Sequence, residues 1–125
     1  LLGESYTAQD GSIIPNNRLT KPGRIPRRYA YCSDTEYFPN LIEQVRGVDL
    51  LYHEATFGED LRARLATTAH STARDAATIA LKAEVKRLLI GHYSSRYTDV
   101  TPLLDEARSV FPNTTAAQEG LIIHL

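Results

Sequence analysis

Leu50-Leu51-Tyr52-His53-Glu54-Ala55-Thr56-Phe57 opens, and Thr68-Ala69-His70-Ser71-Thr72 closes, the stretch whose reading decides the fold. Its first part is an apolar run that gives out at His53-Glu54, which predicts a buried strand over Val48 to Tyr52. Its last part predicts a loop feeding a helix. Thr72-Ala73-Arg74-Asp75 has a capping-box pattern, with an acid in the first turn. A carboxylate at a strand end and an imidazole at a helix mouth are the parts of an acid/base pair. Between them, Gly58 to Leu65 predicts a short surface helix with Leu61 and Leu65 on one side.

On both flanks, strands alternate with helices. Downstream, Ala76, Ala77, Ala80, Leu81 and Ala83 give the capped helix a small-residue face that lets its backbone approach a sheet. Leu88-Leu89-Ile90 predicts the next buried strand, and Gly91 a tight turn before His92. Thr101-Pro102 predicts a helix start with Thr101 as cap, Leu103, Leu104, Ala107 and Val110 forming its apolar face. Thr114 to Ala117 and Leu121 to His124 predict two short strands, or a strand and a tail. Upstream, Tyr29-Ala30-Tyr31-Cys32 predicts a strand running into Ser33-Asp34-Thr35, and Pro39 to Arg46 a short helix before Gly47. The order β-α-β-α-α-β-α-β implies an α/β layer with an at least partly parallel sheet over residues 29–125.

Residues 1–28 form an irregular basic segment, with a turn at Asp10-Gly11 and room for a short strand at Ser12-Ile13-Ile14. Between Gly11 and Ser33 there is no acid, while Arg18, Lys21, Arg24, Arg27 and Arg28 are cationic. Pro15, Pro22 and Pro26 predict that this tract is extended rather than helical. It reads either as a solvated connection or as a strip that touches phosphates. A single cysteine, Cys32, rules out an internal disulfide and favours a reducing, cytoplasmic setting. No apolar run is long enough to span a bilayer. The net charge of -1 singles out no partner. The chain starts Leu1-Leu2-Gly3 and has no methionine, so it is expected to be a piece of something longer.

Three strand ends carry residues that a core would not choose: Asp34, His53-Glu54 and His92. If the strands are neighbours, these line one rim, and His70 can join them. Such a rim suits a divalent metal such as zinc, or acid/base work beside it. An aspartate can bridge two ions, which could stabilise both oxygens of a phosphodiester displacement. Free N–H groups at the helix start near Thr72 would favour a phosphate. Spacing alone leaves a plainer reading open: Asp34 as a turn aspartate, each histidine as a hydrogen-bonded structural residue. His124 reads as a surface or strand residue.

Ala30-Tyr31-Cys32-Ser33-Asp34-Thr35, Asp49 to Phe57, Ala69-His70-Ser71-Thr72-Ala73 and His92 to Tyr97 together resemble, over roughly residues 25–125, the C-terminal half of ribonuclease Z. That family comprises tRNA 3′-processing endonucleases of the metallo-β-lactamase superfamily. The resemblance implies half of an αββα sandwich. It implies two zinc ions, bridged by Asp34, with His92 a ligand of the second. It implies Glu54 and His70 as the pair handling protons at the leaving group. His53, Ser71, Thr72 and Arg96 would shape or contact the substrate side of the site. The implied reaction is zinc-dependent hydrolysis of precursor tRNA just after the discriminator nucleotide, leaving a 3′-hydroxyl.

The chain departs from the family by lacking the His-x-His-x-Asp-His block and a further ligand histidine, which belong to the N-terminal half. Two ligands do not hold a catalytic zinc. The expectation is a partner in the missing N-terminal half, no activity for this chain alone, and a homodimer formed through the uncovered sheet face. Two other readings compete. One is a different metallo-β-lactamase-fold phosphodiesterase. The other is a non-catalytic RNA-binding module using Arg18 to Arg28.

Overall fold

The computed structural model describes residues 3–21, 23–65 and 68–125. Pro22, invoked for the extended tract, and the Leu65 side chain, paired above with Leu61, lie outside the described residues.

Four parallel strands form the sheet, in the order β3 (Tyr29–Cys32), β4 (Leu50–Glu54), β5 (Leu88–Gly91), β6 (Thr114–Ala116). Each neighbour in space is the neighbour in sequence. Right-handed crossovers between such strands put every connecting helix on the same face. The helices are α2 (Leu41–Gln44), α4 (Ala73–Lys82) and α5 (Thr101–Val110). A 3-10 turn at Glu59–Leu61 runs into α3 (Arg62–Leu65) before α4. The core lies between sheet and helices: Leu51, Leu88 and Ile90 pack on Ala76, Ala77, Ile79, Ala80, Leu103 and Ala107. The alanines of α4 are the reason it sits close. Leu81, expected on that face, is 52% exposed and points away.

Strand alternation sends Tyr29, Tyr31, Tyr52 and Leu89 to the opposite face, where Tyr29 and Tyr31 are exposed and Tyr52 and Leu89 half-buried. Tyr31 and Tyr52 stack there with ring centroids 4.5 Å apart.

β4 extends two residues beyond the expected end at Tyr52, because His53 and Glu54 pair with Ile90 and Gly91. Val48 and Asp49 precede it; the Asp49 carboxylate accepts from the Arg28 N–H at 2.8 Å and from Lys86 Nζ at 2.7 Å. Lys86 above all holds the Asp49 carboxyl down at about 2. The α5 cap also differs from expectation. Val100 is the N-cap and Thr101 the first helical residue, its N–H bonded at 2.9 Å to Asp99 Oδ1. A proline at the second helical position serves as well as one at the first, since neither N–H has an intrahelical partner. Leu121 to His124 forms a tail, and His124 is exposed.

In the first 28 residues, β1 (Tyr6–Thr7) pairs antiparallel with β2 (Ile13–Ile14) across the Asp10-Gly11 turn. Asp10 Oδ1 accepts from both the N–H and the hydroxyl of Ser12, and Gly11 takes φ +82°. The basic tract is not wholly extended, because α1 (Asn16–Leu19) is one helical turn that includes Arg18. Pro15, at φ -65°, precedes that turn rather than interrupting it.

Candidate functional site

Glu54 is the centre of the site and has no exposed surface. A carboxylate in that position needs donors to offset its lost hydration. It receives Thr56 Oγ1 at 2.7 Å, the Ser71 N–H at 3.1 Å and the Thr35 N–H at 2.5 Å. His70 Nδ1 lies 3.0 Å from Oε2 and 3.2 Å from Oε1. The donors come from three places: the loop after β3, the end of β4 and the loop before α4. Ser71 ties two of these together, donating its hydroxyl to the Thr35 carbonyl at 2.6 Å.

Asp34, His70 and His92 meet in front of Glu54. Each offers one ligand atom, and these atoms lie within 4.8 Å of one another. His92 Nε2 is 3.4 Å from Asp34 Oδ1, and the His70 and His92 ring centroids are 5.3 Å apart. Asp34 (φ 53°), Ala69 (φ 52°) and His92 (φ 58°) all take the left-handed conformation. That is uncommon for side-chain-bearing residues, though Asp and His tolerate it best, and it turns both ligand-type side chains onto one rim. Gly91 does not make the turn expected of it; His92 does. Gly91 is needed because a Cβ there would come within 2.8 Å of the Tyr52 ring.

Part of the expected substrate surface is inside the protein. His53, Ser71 and Thr72 are fully buried and expose no surface in this chain. His53 Nδ1 lies 2.8 Å from the Glu54 carbonyl, its Nε2 has no hydrogen-bond partner among the described residues, and burial pushes its pKa down. Arg96 is exposed on the turn after β5, and no bond joins its side chain to His92 among the described residues. The start of α4 is closed to a phosphate. Thr72 N–H goes to Asp75 and Ala73 N–H to the Phe57 carbonyl; Arg74 N–H goes to Glu106 and Asp75 N–H to Thr72. The end of the basic strip is also remote. Arg27 lies 3.6 Å from Asp49 and Arg28 donates to the Gly47 carbonyl at 2.7 Å, both at the strand starts, opposite to Asp34 and His92. Sequence reasoning gave no role to Thr35 or Thr56. Thr56 sits inside the quoted motif, two residues past Glu54, and that spacing was the available signal.

A family model for the beta-lactamase superfamily domain matches residues 15–93. The chain belongs to the metallo-β-lactamase superfamily. Within it, the chain is a homologue of ribonuclease Z proteins. It is 62% identical over 123 residues to "Ribonuclease Z" of Porphyromonas gingivalis, covering 98% of this chain and 40% of that protein. It is 57% identical, with the same two coverages, to the ribonuclease Z of Phocaeicola vulgatus. The chain therefore spans about 40% of the length of these curated relatives. Among solved structures it is similar to the metallo-β-lactamase fold protein YhfI of Bacillus subtilis. The TM-score is 0.67 at 27% identity, over 73% of this chain and 37% of that one. It is also similar to human tRNase Z, short form, with TM-score 0.52 and 29% identity over 66% and 27% of the two chains. The four-stranded sheet with helices on one face is thus part of the superfamily fold. One carboxylate and two imidazoles are the donor types that this rim can offer a zinc-like ion.

Proposed function

We propose that this chain is the C-terminal part of a zinc-dependent endoribonuclease that removes the 3′ trailer from precursor tRNA. The observation that carries the reading is the contact of a buried Glu54 with His70, on the same rim as Asp34 and His92. Asp34 and His92 would hold metal together with ligands from the N-terminal half, which makes that half an obligate partner. Zinc supplies Lewis acidity there, acidifying water and offsetting charge on the phosphoryl oxygens.

The chain's own residues handle the proton. Glu54 accepts at His70 Nδ1, so the ring's other nitrogen, Nε2, is left to serve the substrate. With His70 charged and a proton on each ring nitrogen, water attacks phosphorus and releases one proton to solvent, the bond from phosphorus to the discriminator 3′-oxygen breaks, the His70 Nε2 proton passes to that oxygen, and the phosphate stays on the trailer. The tRNA side ends in a 3′-hydroxyl. Glu54 orients the imidazole and stabilises its charged form. Among the described residues no helix is long and apolar enough to cross a membrane, and the proposed setting is the cytoplasm.

The test is cleavage of a precursor tRNA by the full-length protein. Glu54→Gln keeps the volume but weakens the hold on the imidazolium, and should lower kcat about 100-fold with little change in KM. Unchanged kcat removes the proton-transfer role. A second reading has one observation in its favour: the better fit to YhfI than to the tRNase Z. Under it the full-length protein would hydrolyse small phosphodiesters and leave precursor tRNA uncut.

A further inference from the structure

We propose that Thr56 is a positioning residue that fixes the ring tautomer of His92, so that its Nε2 presents a lone pair toward Asp34. The Thr56 hydroxyl oxygen lies 2.7 Å from Glu54 Oε2, 3.0 Å from the His92 carbonyl oxygen and 3.0 Å from His92 Nδ1. A hydroxyl has one proton and two lone pairs. The carboxylate and carbonyl oxygens can only accept, and the shorter contact is to the carboxylate. The single proton is therefore spent on an acceptor. Nδ1 finds a partner only by carrying its own hydrogen and donating it to a Thr56 lone pair. In the neutral ring this leaves Nε2 bare, on the side where Asp34 Oδ1 stands 3.4 Å away.

A lone pair and a carboxylate oxygen facing each other have no hydrogen to share, and a cation between them satisfies both. Thr56 can impose this because it does not move freely. Its N–H donates to the Ser71 carbonyl at 3.1 Å, its carbonyl accepts from Ser94 at 3.1 Å, and it is 6% exposed. The same carboxylate holds His70, so one carboxylate and one hydroxyl aim both imidazoles. Oriented ligand histidines of this kind bind metal about 10- to 100-fold more tightly than unsupported ones.

The proposal rests on His92 being a metal ligand, but its first readout does not. In the full-length protein labelled with ¹⁵N-histidine, metal-free and above the histidine titration range, long-range ¹H–¹⁵N spectra report each tautomer. His92→Asn identifies the His92 signals. Wild type and Thr56→Ser should show His92 with hydrogen on Nδ1, and Thr56→Val a shift toward hydrogen on Nε2. Competition with a chelator should then show Thr56→Val losing about 10- to 100-fold in zinc affinity, restored by Thr56→Ser. Wild-type His92 carrying its hydrogen on Nε2 overturns the proposal, even should Thr56→Val fail to fold. So does a folded Thr56→Val with unchanged tautomer and affinity. If these results hold and wild type leaves precursor tRNA uncut, the nuclease reading fails and the role of Thr56 stands.

Discussion

His53 shows how burial turns a polar residue into a liability with a pH signature. Desolvation lowers its folded-state pKa below the ordinary 6.5. Above 6.5 both folded and unfolded states are neutral and pH has no effect through this group. As pH falls through 6.5 toward the folded value, the unfolded chain takes up a proton that the folded one refuses, so stability is lost. Urea unfolding of the full-length protein should give a lower midpoint at about pH 5.5 than at about pH 8. His53→Asn should flatten that difference; an equal slope in the variant would place the effect elsewhere. Asp49 adds a second window with the same sign. Its contribution, set by Lys86 first, is lost only as pH falls from 3.8 toward about 2. His53 was readable in the sequence as a polar residue at a strand end. Its burial was not, because the two extra residues of β4 depend on pairing with β5.

At the scale of elements, α4 is fixed at one end by a full capping box. Thr72 accepts from the Asp75 N–H at 3.0 Å, and Asp75 accepts from the Thr72 N–H at 3.1 Å. Thr72→Ala should cost about 1–2 kcal/mol and lower Tm by several degrees, with Thr72→Ser retaining most of the stability. An unchanged Tm would mean the helix start is held by its other partners, among them Arg62, whose guanidinium donates to Asp75 Oδ1 at 2.8 Å. β5 and β4 are locked by contact between Tyr52 and Gly91. Gly91→Ala must displace the Tyr52 ring and its stack with Tyr31, at about 1–3 kcal/mol. In a Gly91→Ala/Tyr52→Ala double variant the two costs should fall short of their sum; additivity in urea denaturation would contradict the contact. The cap was legible from four residues. The glycine's purpose was not, because its neighbour lies 39 residues away in sequence.

For the molecule as a whole, the consequence of a one-sided layer is an open face. Tyr29 is 53% and Tyr31 63% exposed on the sheet face that, as the resemblance implies, a second sheet would cover. The 125-residue chain made alone should self-associate through that face and should not cut precursor tRNA with zinc added. Sedimentation giving a clean monomer, or cleavage by the chain alone, would count against this. Tyr31→Glu should weaken the association.

The sequence by itself determined the alternation of strand and helix and the capping box, and its motifs pointed to Asp34, Glu54, His70 and His92 as candidates. These depend on local periodicity and on residue chemistry within a few positions. Tertiary structure decided the depth of each residue. Glu54 became a buried hub, and His53, Ser71 and Thr72 were withdrawn from the surface. The helix start and two cations of the basic strip, Arg27 and Arg28, were spent on internal partners. Depth and partnership depend on which distant segments meet, and parallel pairing joins strands separated by a whole crossover, beyond the reach of local pattern.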